Sequence, residues 1–401
     1  MKLSNTIPIV TLASISDKID YGLTTSAQNI DGKPKFLRIT DIQNNSVDWN
    51  SVPSCECTEK DYRKYALNKG DIVFARTGAT TGKSFLIRDC PQAVFASYLI
   101  RVSPSSKINP EYLSWFFQTS NYWRQITFSS TGTAQPGVNS TKLKELKIPL
   151  PPLEEQKRIA AILDKADRVR RKRQEAIRLT EELGRSIFLD MFGDPVTNPK
   201  GWKIKKLRSV IQSIDAGWSA NGEEKKCEED EWGVLKVSAV TSGKLKPFEH
   251  KSVGRNPNFS KSPIIPKKGD LLFSRANTRE LVAATCLVEQ DYERIFLSDK
   301  LWRISVFKNL ITPEYLKFLL TYQRYRDLLT KQATGTSGSM LNISQGKLLD
   351  MNAPIPDIEA QRKFSDLIWQ SIQVSTRIQE NSKESENLFN SLLQRAFRGE
   401  L

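Results

Sequence analysis

Histidine is almost missing from this 401-residue chain: His250 is the only one. That scarcity sets aside most His-based triads, His-rich metal sites and HExxH chemistry. In the lysine-rich context LKPFEHKS, His250 reads as solvated rather than catalytic. Cysteine is sparse, odd in number and scattered: Cys55, Cys57, Cys90, Cys227 and Cys286. No CxxC pair exists, and Cys55 with Cys57 has no second pair to close a zinc site, so reduced, mostly buried thiols and no metal are expected. Long apolar runs are lacking too. IVFA after Asp71 and LLF after Asp270 are strand-sized, far short of a membrane span. The N-terminal MKLSNTIPIVTLASISDKID has polar breaks inside its apolar stretch, which argues against a signal peptide and for the cytoplasm. There is no GxGxxG for a dinucleotide or methyl donor and no Asn-Pro-Pro-aromatic signature of amino-methyltransferases. The acidic cluster CEEDEW (Cys227–Trp232) lacks the spaced carboxylates and lysine of a nuclease. No catalytic residue and no cofactor are expected.

What is present is positive charge and repetition. Sixty Lys+Arg against 45 Asp+Glu give a net charge of +15, a field that attracts polyanions such as DNA or RNA. With 39% hydrophobic and 26% charged residues, the chain reads as globular, with length enough for two or three domains.

The chain says the same thing twice. KGDIVFARTG from Lys69 returns as KGDLLFSRAN from Lys268, 199 residues later. NPEYL from Asn109 returns as TPEYL from Thr312 at an offset of 203, and TGT recurs at 131–133 and 334–336, each copy followed by a polar loop and an Asn (Asn139, Asn342). PLPPLEEQKR from Pro149 matches PIPDIEAQRK from Pro354, and LGRSIFLDMFGD from Leu183 matches LFNSLLQRAFRGE from Leu388, both at 205. The order is kept and the offset barely drifts. The unit is therefore about 200 residues, present twice, each copy a mixed α/β (α+β) head followed by a long helix. Expected boundaries are 1–150 and 196–355 for the heads, and 151–195 and 356–401 for the helices. Tyr112, Trp115 and Phe116 read as core.

The stretch from Leu153 to Phe192 has no proline, and apolar residues recur near a 3.5-residue period at Ile159, Ile162, Leu163, Ala166, Val169, Ile177, Leu183, Ile187 and Met191. The second copy runs through Phe364, Leu367, Ile368, Ile372, Val374, Ile378, Leu388, Phe389, Leu392 and Ala396. Such stripes predict a coiled-coil seam, with each helix ~60 Å long. Arg168, Arg170, Arg171, Lys172, Arg173 and Arg178 would face Glu380, Glu384 and Glu386 in an antiparallel pair, holding two heads apart with internal pseudo-twofold symmetry. A DNA-binding protein so built reads two half-sites across a fixed gap.

GATTGKS (Gly78–Ser84) follows a strand but has three residues between its glycines, where a phosphate-binding P-loop needs four. Its repeat, ANTREL after Arg275, has no Gly-Lys-Ser at all, so nucleotide hydrolysis is set aside.

KGDIVFARTG, the TGT…Asn loop, IPLPPLEEQKRIAAILDKAD, FGDP (Phe192–Pro195), the second degenerate copy and the terminal LLQRAFRGEL together resemble type I restriction–modification specificity subunits over essentially the whole chain. PIPDIEAQ is a diverged form of PLPPLEEQ. The resemblance implies two target-recognition domains, each reading half of a bipartite, asymmetric double-stranded DNA site, and an antiparallel coiled coil that sets the spacer. It also implies docking of two S-adenosylmethionine-dependent methyltransferase (modification) subunits, with restriction subunits added for cleavage. Base edges are read by Arg, Asn, Gln, Ser and Thr, and phosphates by Lys and Arg. The expected DNA-binding residues are Arg76, Thr77, Thr80, Thr81, Lys83, Gln135 and Asn139 in the first head, and Arg275, Asn277, Thr278, Arg279, Ser337 and Asn342 in the second. Against this, Asn139 and Asn342 could serve only as turn caps, and Arg76 and Arg275 could pair with carboxylates. The rival reading is a stand-alone bipartite DNA-binding regulator; a fused nuclease or methyltransferase would need room that the chain, ending at Leu401, does not leave.

Overall fold

KGDIVFARTG and KGDLLFSRAN fold alike. Gly70 and Gly269 sit at φ of 95° and 88°, a left-handed conformation that favours glycine. The aspartate that follows closes each turn by accepting a backbone N–H: Asn68 to Asp71 and Lys267 to Asp270, both at 2.9 Å. Burial pushes both carboxyls above the usual aspartate range, more than these hydrogen bonds pull them back. The strands that follow, Ile72–Ala75 and Leu271–Ser274, are buried at every residue. Each lies inside a four-stranded antiparallel sheet, which is why its sequence is a continuous apolar run.

The structure is a computed structural model and describes residues 7–43, 45–78, 80–128, 138–255, 257, 259, 262–335 and 340–401. The chain divides into two units, Met1–Gln174 with Asn381–Leu401, and Glu175–Glu380. The first sheet runs Ser16–Tyr21, Leu99–Pro104, Ile72–Ala75, Ser84–Leu86. The second runs Ile211–Ala216, Leu301–Val306, Leu271–Ser274, Thr285–Leu287, in the same order. Even the irregularity repeats: the register shifts between Ser16 and Lys18, and between Ile211 and Ser213. Beside each sheet lies a short parallel pair, Lys35–Leu37 with Ala93–Phe95 and Gly233–Leu235 with Ile295–Leu297. The mixed α/β expectation and the duplication both hold.

The NPEYL and TPEYL segments start helices Pro110–Phe116 and Pro313–Thr321, with proline in the first turn and Asn109 or Thr312 as the N-cap. Tyr112, Trp115 and Phe116 are buried, as expected. The hydroxyls of Tyr112 and Tyr315 donate to the carbonyls of Pro149 and Pro354, tying each helix to the proline-rich segment.

That segment leads into the long helices Leu153–Phe192 and Ile358–Ala396. The glutamine of PLPPLEEQ and PIPDIEAQ is a structural bolt. Gln156 is 1% exposed: its Oε1 accepts the Asn109 N–H at 2.8 Å and its Nε2 donates to Pro151 O at 2.8 Å. Gln361, 0% exposed, binds the Thr312 N–H and Pro356 O in the same way. Phe192 ends the first helix because Gly193, at φ 75°, donates back to Leu189 O, and Asp194 of FGDP accepts from Val196 N and Tyr322 Oη.

Within each unit the two long helices lie side by side and antiparallel. In the first, Arg158 reaches Leu401 O, Arg170 pairs with Glu386 at 3.0 Å, and Arg173 reaches Asn381 O. In the second, Phe188 and Phe192 both pack on Phe364. Ile159, Leu163, Phe389, Leu393 and Ala396 enter the core of the first unit; Phe188, Phe192, Phe364 and Ile368 enter that of the second. The expected stripe is less regular: Val169, Leu183, Leu367, Val374 and Leu388 are each at least 40% exposed. The expected charge pairing holds in part: Arg170 meets Glu386, but most of the run pairs locally. Arg171 pairs with Asp167, and Arg178 with Glu175 and Glu182, on their own helix. These i,i+3 and i,i+4 partners are closer than anything on a neighbouring helix, so local pairing wins.

Two further expectations are corrected. His250 is not solvated: it is 9% exposed in strand His250–Ser252, its Nε2 accepting the Cys227 N–H and its Nδ1 donating to Pro247 O. Of the cysteines, only Cys55 and Cys286 are buried, the other three being partly exposed.

Replacing Gln156 or Gln361 by Ala strands a buried backbone N–H and carbonyl. Each substitution is expected to lower unfolding stability by about 2–3 kcal/mol, read as a shift in urea midpoint; a shift below about 0.5 kcal/mol would contradict the bolt.

Candidate nucleic-acid interface

The loop between Ile72–Ala75 and Ser84–Leu86 carries five of the expected residues in the first unit. Arg76, Thr77 and Lys83 are exposed; Thr80 and Thr81 are half-buried. The loop is braced from inside. The Thr81 N–H and hydroxyl both donate to Gly78 O, Lys83 N donates to Thr80 O, and the buried Tyr122 hydroxyl donates to Gly82 O at 2.5 Å. Threonines that serve the turn therefore leave Arg76, Thr77 and Lys83 as its outward groups.

Arg76 is fixed on its backbone from two sides. Its N–H donates to Tyr98 O, and its carbonyl accepts from Val138 N. Its guanidinium lies 4.9 Å over the Tyr21 ring, whose hydroxyl accepts the Ser140 N–H. The structure thus brings Arg76 beside the segment holding Asn139. The Asn139 Oδ1 accepts the Lys142 N–H at 2.8 Å and caps helix Ser140–Lys144. Gln135 lies outside the described residues.

The second unit repeats the frame with different side chains. Arg275 N donates to Lys300 O, and its carbonyl accepts from Ile343 N, matching Arg76. Its guanidinium, however, is engaged: Nε donates to Asp299 O at 2.9 Å, Nη1 lies 3.4 Å from Asn342 Oδ1, and the Asp299 carboxylate is 3.6 Å away. Asn277 uses its Oδ1 on Thr278 N, and strand Ala276–Asn277 pairs with Leu341–Asn342. Arg279 is exposed and Thr278 half-buried, while Ser337 lies outside the described residues. Asn342 is not the counterpart of Asn139. Helix Gln345–Leu349 is capped by Ser344, which accepts from Lys347 N. The offset of 205 from Asn139 falls on Ser344, as it does for the proline-rich segments.

Sequence reasoning missed two positions. Tyr98, 65% exposed, and Lys300 hold the same backbone place next to Arg76 and Arg275. Their signal was available as the residue just before LIRV and just before LWRI, at the mouth of a buried strand. It also missed Arg326, which holds the second loop through the carbonyls of Glu280 and Val282. Among the described residues no group of three or more His, Cys, Asp or Glu could hold a metal, and no helix is long and apolar enough to cross a membrane.

Residues 9–180 and 199–386 each match the family model of the type I restriction modification DNA specificity domain. The chain is 24% identical to the EcoKI type I restriction enzyme specificity subunit of Escherichia coli strain K12 over 396 residues, covering 91% of this chain and 82% of that one. The MjaVIII specificity subunit of Methanocaldococcus jannaschii is 24% identical over 340 residues, 80% and 76% of the two chains. The EcoEI specificity subunit of Escherichia coli is 29% identical over 193 residues, 48% of this chain but only 32% of that protein. In fold, the chain is similar to the crystal structure of the type I restriction-modification system S subunit from M. genitalium, with TM-score 0.61, 14% identity and 99% and 98% coverage. A chain of a type I R-M system solved to explain complex assembly and conformational transition gives TM-score 0.54 at 20% identity, with 100% of both chains covered.

Asn139→Ala should lower stability by about 1 kcal/mol, and Asn139→Ser should restore most of it, because a serine hydroxyl also caps. Thermal unfolding of the two variants checks this; equal losses in both would assign the side chain a role other than capping.

Proposed function

Because this chain belongs to the type I restriction modification DNA specificity family, matched in both of its repeats, we propose that it is the sequence-reading subunit of a type I restriction–modification enzyme. It binds double-stranded DNA and supplies recognition, while separate modification subunits methylate and restriction subunits, where present, cut. Each unit reads one half of a bipartite, asymmetric site. Two modification subunits dock on one such chain in the cytoplasm.

One observation carries the reading most. The same braced frame presents an arginine backbone at Arg76 and at Arg275, yet surrounds it with unlike side chains: Tyr21 and Tyr98 in one, Asp299, Asn342 and Lys300 in the other. Equivalent scaffolds with different outward groups are what two independent half-site readers need. Arg76, Thr77 and Lys83, together with Gln135, are the groups that reach the DNA in the first unit, on a loop frame that Thr80, Thr81 and Asn139 hold. Arg275, Asn277, Thr278, Arg279, Ser337 and Asn342 form that of the second. Within these sets Lys83 and Arg279, exposed and on loop flanks, suit phosphates. Arg76, held over Tyr21, suits a base edge.

The test is an exchange of residues 1–150 with those of another family member, followed by mapping of methylated adenines in cells holding the modification subunits. One half of the methylated motif should change and the other stay; both halves changing together would end the reading. With purified complex, Lys83→Ala should weaken all DNA alike and reduce the salt slope by about 1, whereas Arg76→Ala should cost about 1–3 kcal/mol and relax one position.

A further inference from the structure

One of the differences between the two cores is a hole. In the first unit Phe389 packs edge-on against Trp115, with ring centroids 5.5 Å apart, and the Arg170 guanidinium covers Phe389 at 4.7 Å. The offset of 205 that relates the long helices puts Gly184 where Phe389 stands and Ser375 where Arg170 stands. The correspondence is spatial as well. Phe397 packs on Tyr112 at 4.8 Å, and its counterpart Phe192 packs on Tyr315 at 4.9 Å. The partner of Trp115 is Phe318, and a Cβ on Gly184 would meet its ring at 3.0 Å. Two large side chains of the first unit are therefore absent from the second.

Phe318 and Ile368 close in over Gly184, where a Cβ would meet them at 3.0 and 3.3 Å, but they fill only part of the space. A cavity of about 160 Å³ remains, bordered by Gly184, Phe318, Ile368, Ile372 and Ser375. A void of about 150 Å³ lined by apolar groups is enough for a benzene ring. This one is not purely apolar. Ser375 is 6% exposed, and its hydroxyl has no hydrogen-bond partner among the described residues. A buried hydroxyl left unsatisfied is costly, so it marks a place where a ligand atom would be welcome. Lys317, where the first unit has Ser114, holds its ammonium 4.2 Å over the Phe318 ring, and Arg185 and Lys244 join it at the wall. Of the two carboxylates there, Glu289 and Glu314, the second is taken by Ser365 and Trp369. Cations outnumber carboxylates.

We propose that this cavity of the second unit is a binding site for a small aromatic acid, whose single ring lies among Phe318, Ile368 and Ile372, beside the glycine that replaces Phe389 of the first unit. The acid group faces Lys317 and Arg185, and Ser375 donates its hydroxyl. The site lies within one unit, and the inference does not depend on the DNA reading.

Benzoate, toluene and acetate, titrated into the full chain and followed by ligand-observed NMR, test the proposal. Benzoate should bind saturably at one site, toluene at least tenfold more weakly, and acetate not at all. Gly184→Phe, whose ring must push into the cavity past Phe318 and Ile368, should abolish benzoate binding. Should that variant fail to fold, Lys317→Ser, which copies the first unit, should cost benzoate about tenfold and leave toluene unchanged. The proposal is overturned by an absence of saturable binding, by benzoate binding that survives Gly184→Phe, or by benzoate indifferent to Lys317→Ser. It is equally overturned if none of the three molecules binds while Gly184→Phe weakens capture of the modification subunit, since the cavity then receives a partner side chain.

Discussion

Each unit completes its core with part of a long helix that begins in the other repeat, and the fold rests on that exchange. The first unit buries Phe389, Leu393 and Ala396 against Ile159, Leu163 and the aromatic helix Pro110–Phe116. The second buries Phe188 and Phe192 against Tyr315, Phe318 and Phe364. Burying a side chain of this size stabilises by roughly 1.5–3 kcal/mol, so two or three of them are a large share of the net stability of a domain. Antiparallel pairing is the arrangement that lets each helix serve two cores, its start in one and its end in the other. The glutamine bolts, Gln156 and Gln361, fix where each helix leaves its own head, and so decide which residues reach which core.

From that shared frame the two units diverge where function asks them to. Sheet order, register shift, KGD turn and tyrosine-to-proline ties are common to both. Their supports are not equally strong. Arg101 is 2% exposed and makes a bidentate contact with Asp20, while its counterpart Arg303 reaches Asp215 at 3.3 Å and has a buried Nε without a partner among the described residues. The loops differ more. Arg76 is stacked on an aromatic ring, whereas Arg275 is held among Asp299 and Asn342. A duplicated scaffold keeps its interior and spends its variation on outward loops, which is the economy expected of a pair of readers.

Much of this was legible in the sequence because it rests on local rules. The repeat, the buried strands after KGD, the proline-started helices and the two long helices each carry a period or punctuation that short-range physics dictates. What escaped depends on distant partners. Nothing near His250 announces that the Cys227 N–H, from another segment, reaches its ring. The basic run from Arg168 to Arg178 invited pairing across helices, yet Asp167, Glu175 and Glu182 lay within a turn and took most of it. Asn342 was matched to Asn139 by a loop motif, while the cap had passed to Ser344. The apolar stripes mark the right helices, but which residues are buried is set by the heads against which they pack.

The exchange of helix ends is tested most directly by Phe389→Ala. Hydrogen exchange would be followed in the strands Ile72–Ala75 and Leu271–Ser274, which are equally buried in the two units. Truncating a buried Phe costs about 3–5 kcal/mol. Protection should fall by that amount in Ile72–Ala75, more than 300 residues away in sequence, and stay nearly unchanged in Leu271–Ser274. Equal loss in both strands, or loss confined to the second, would contradict a first unit whose core is closed by the second helix.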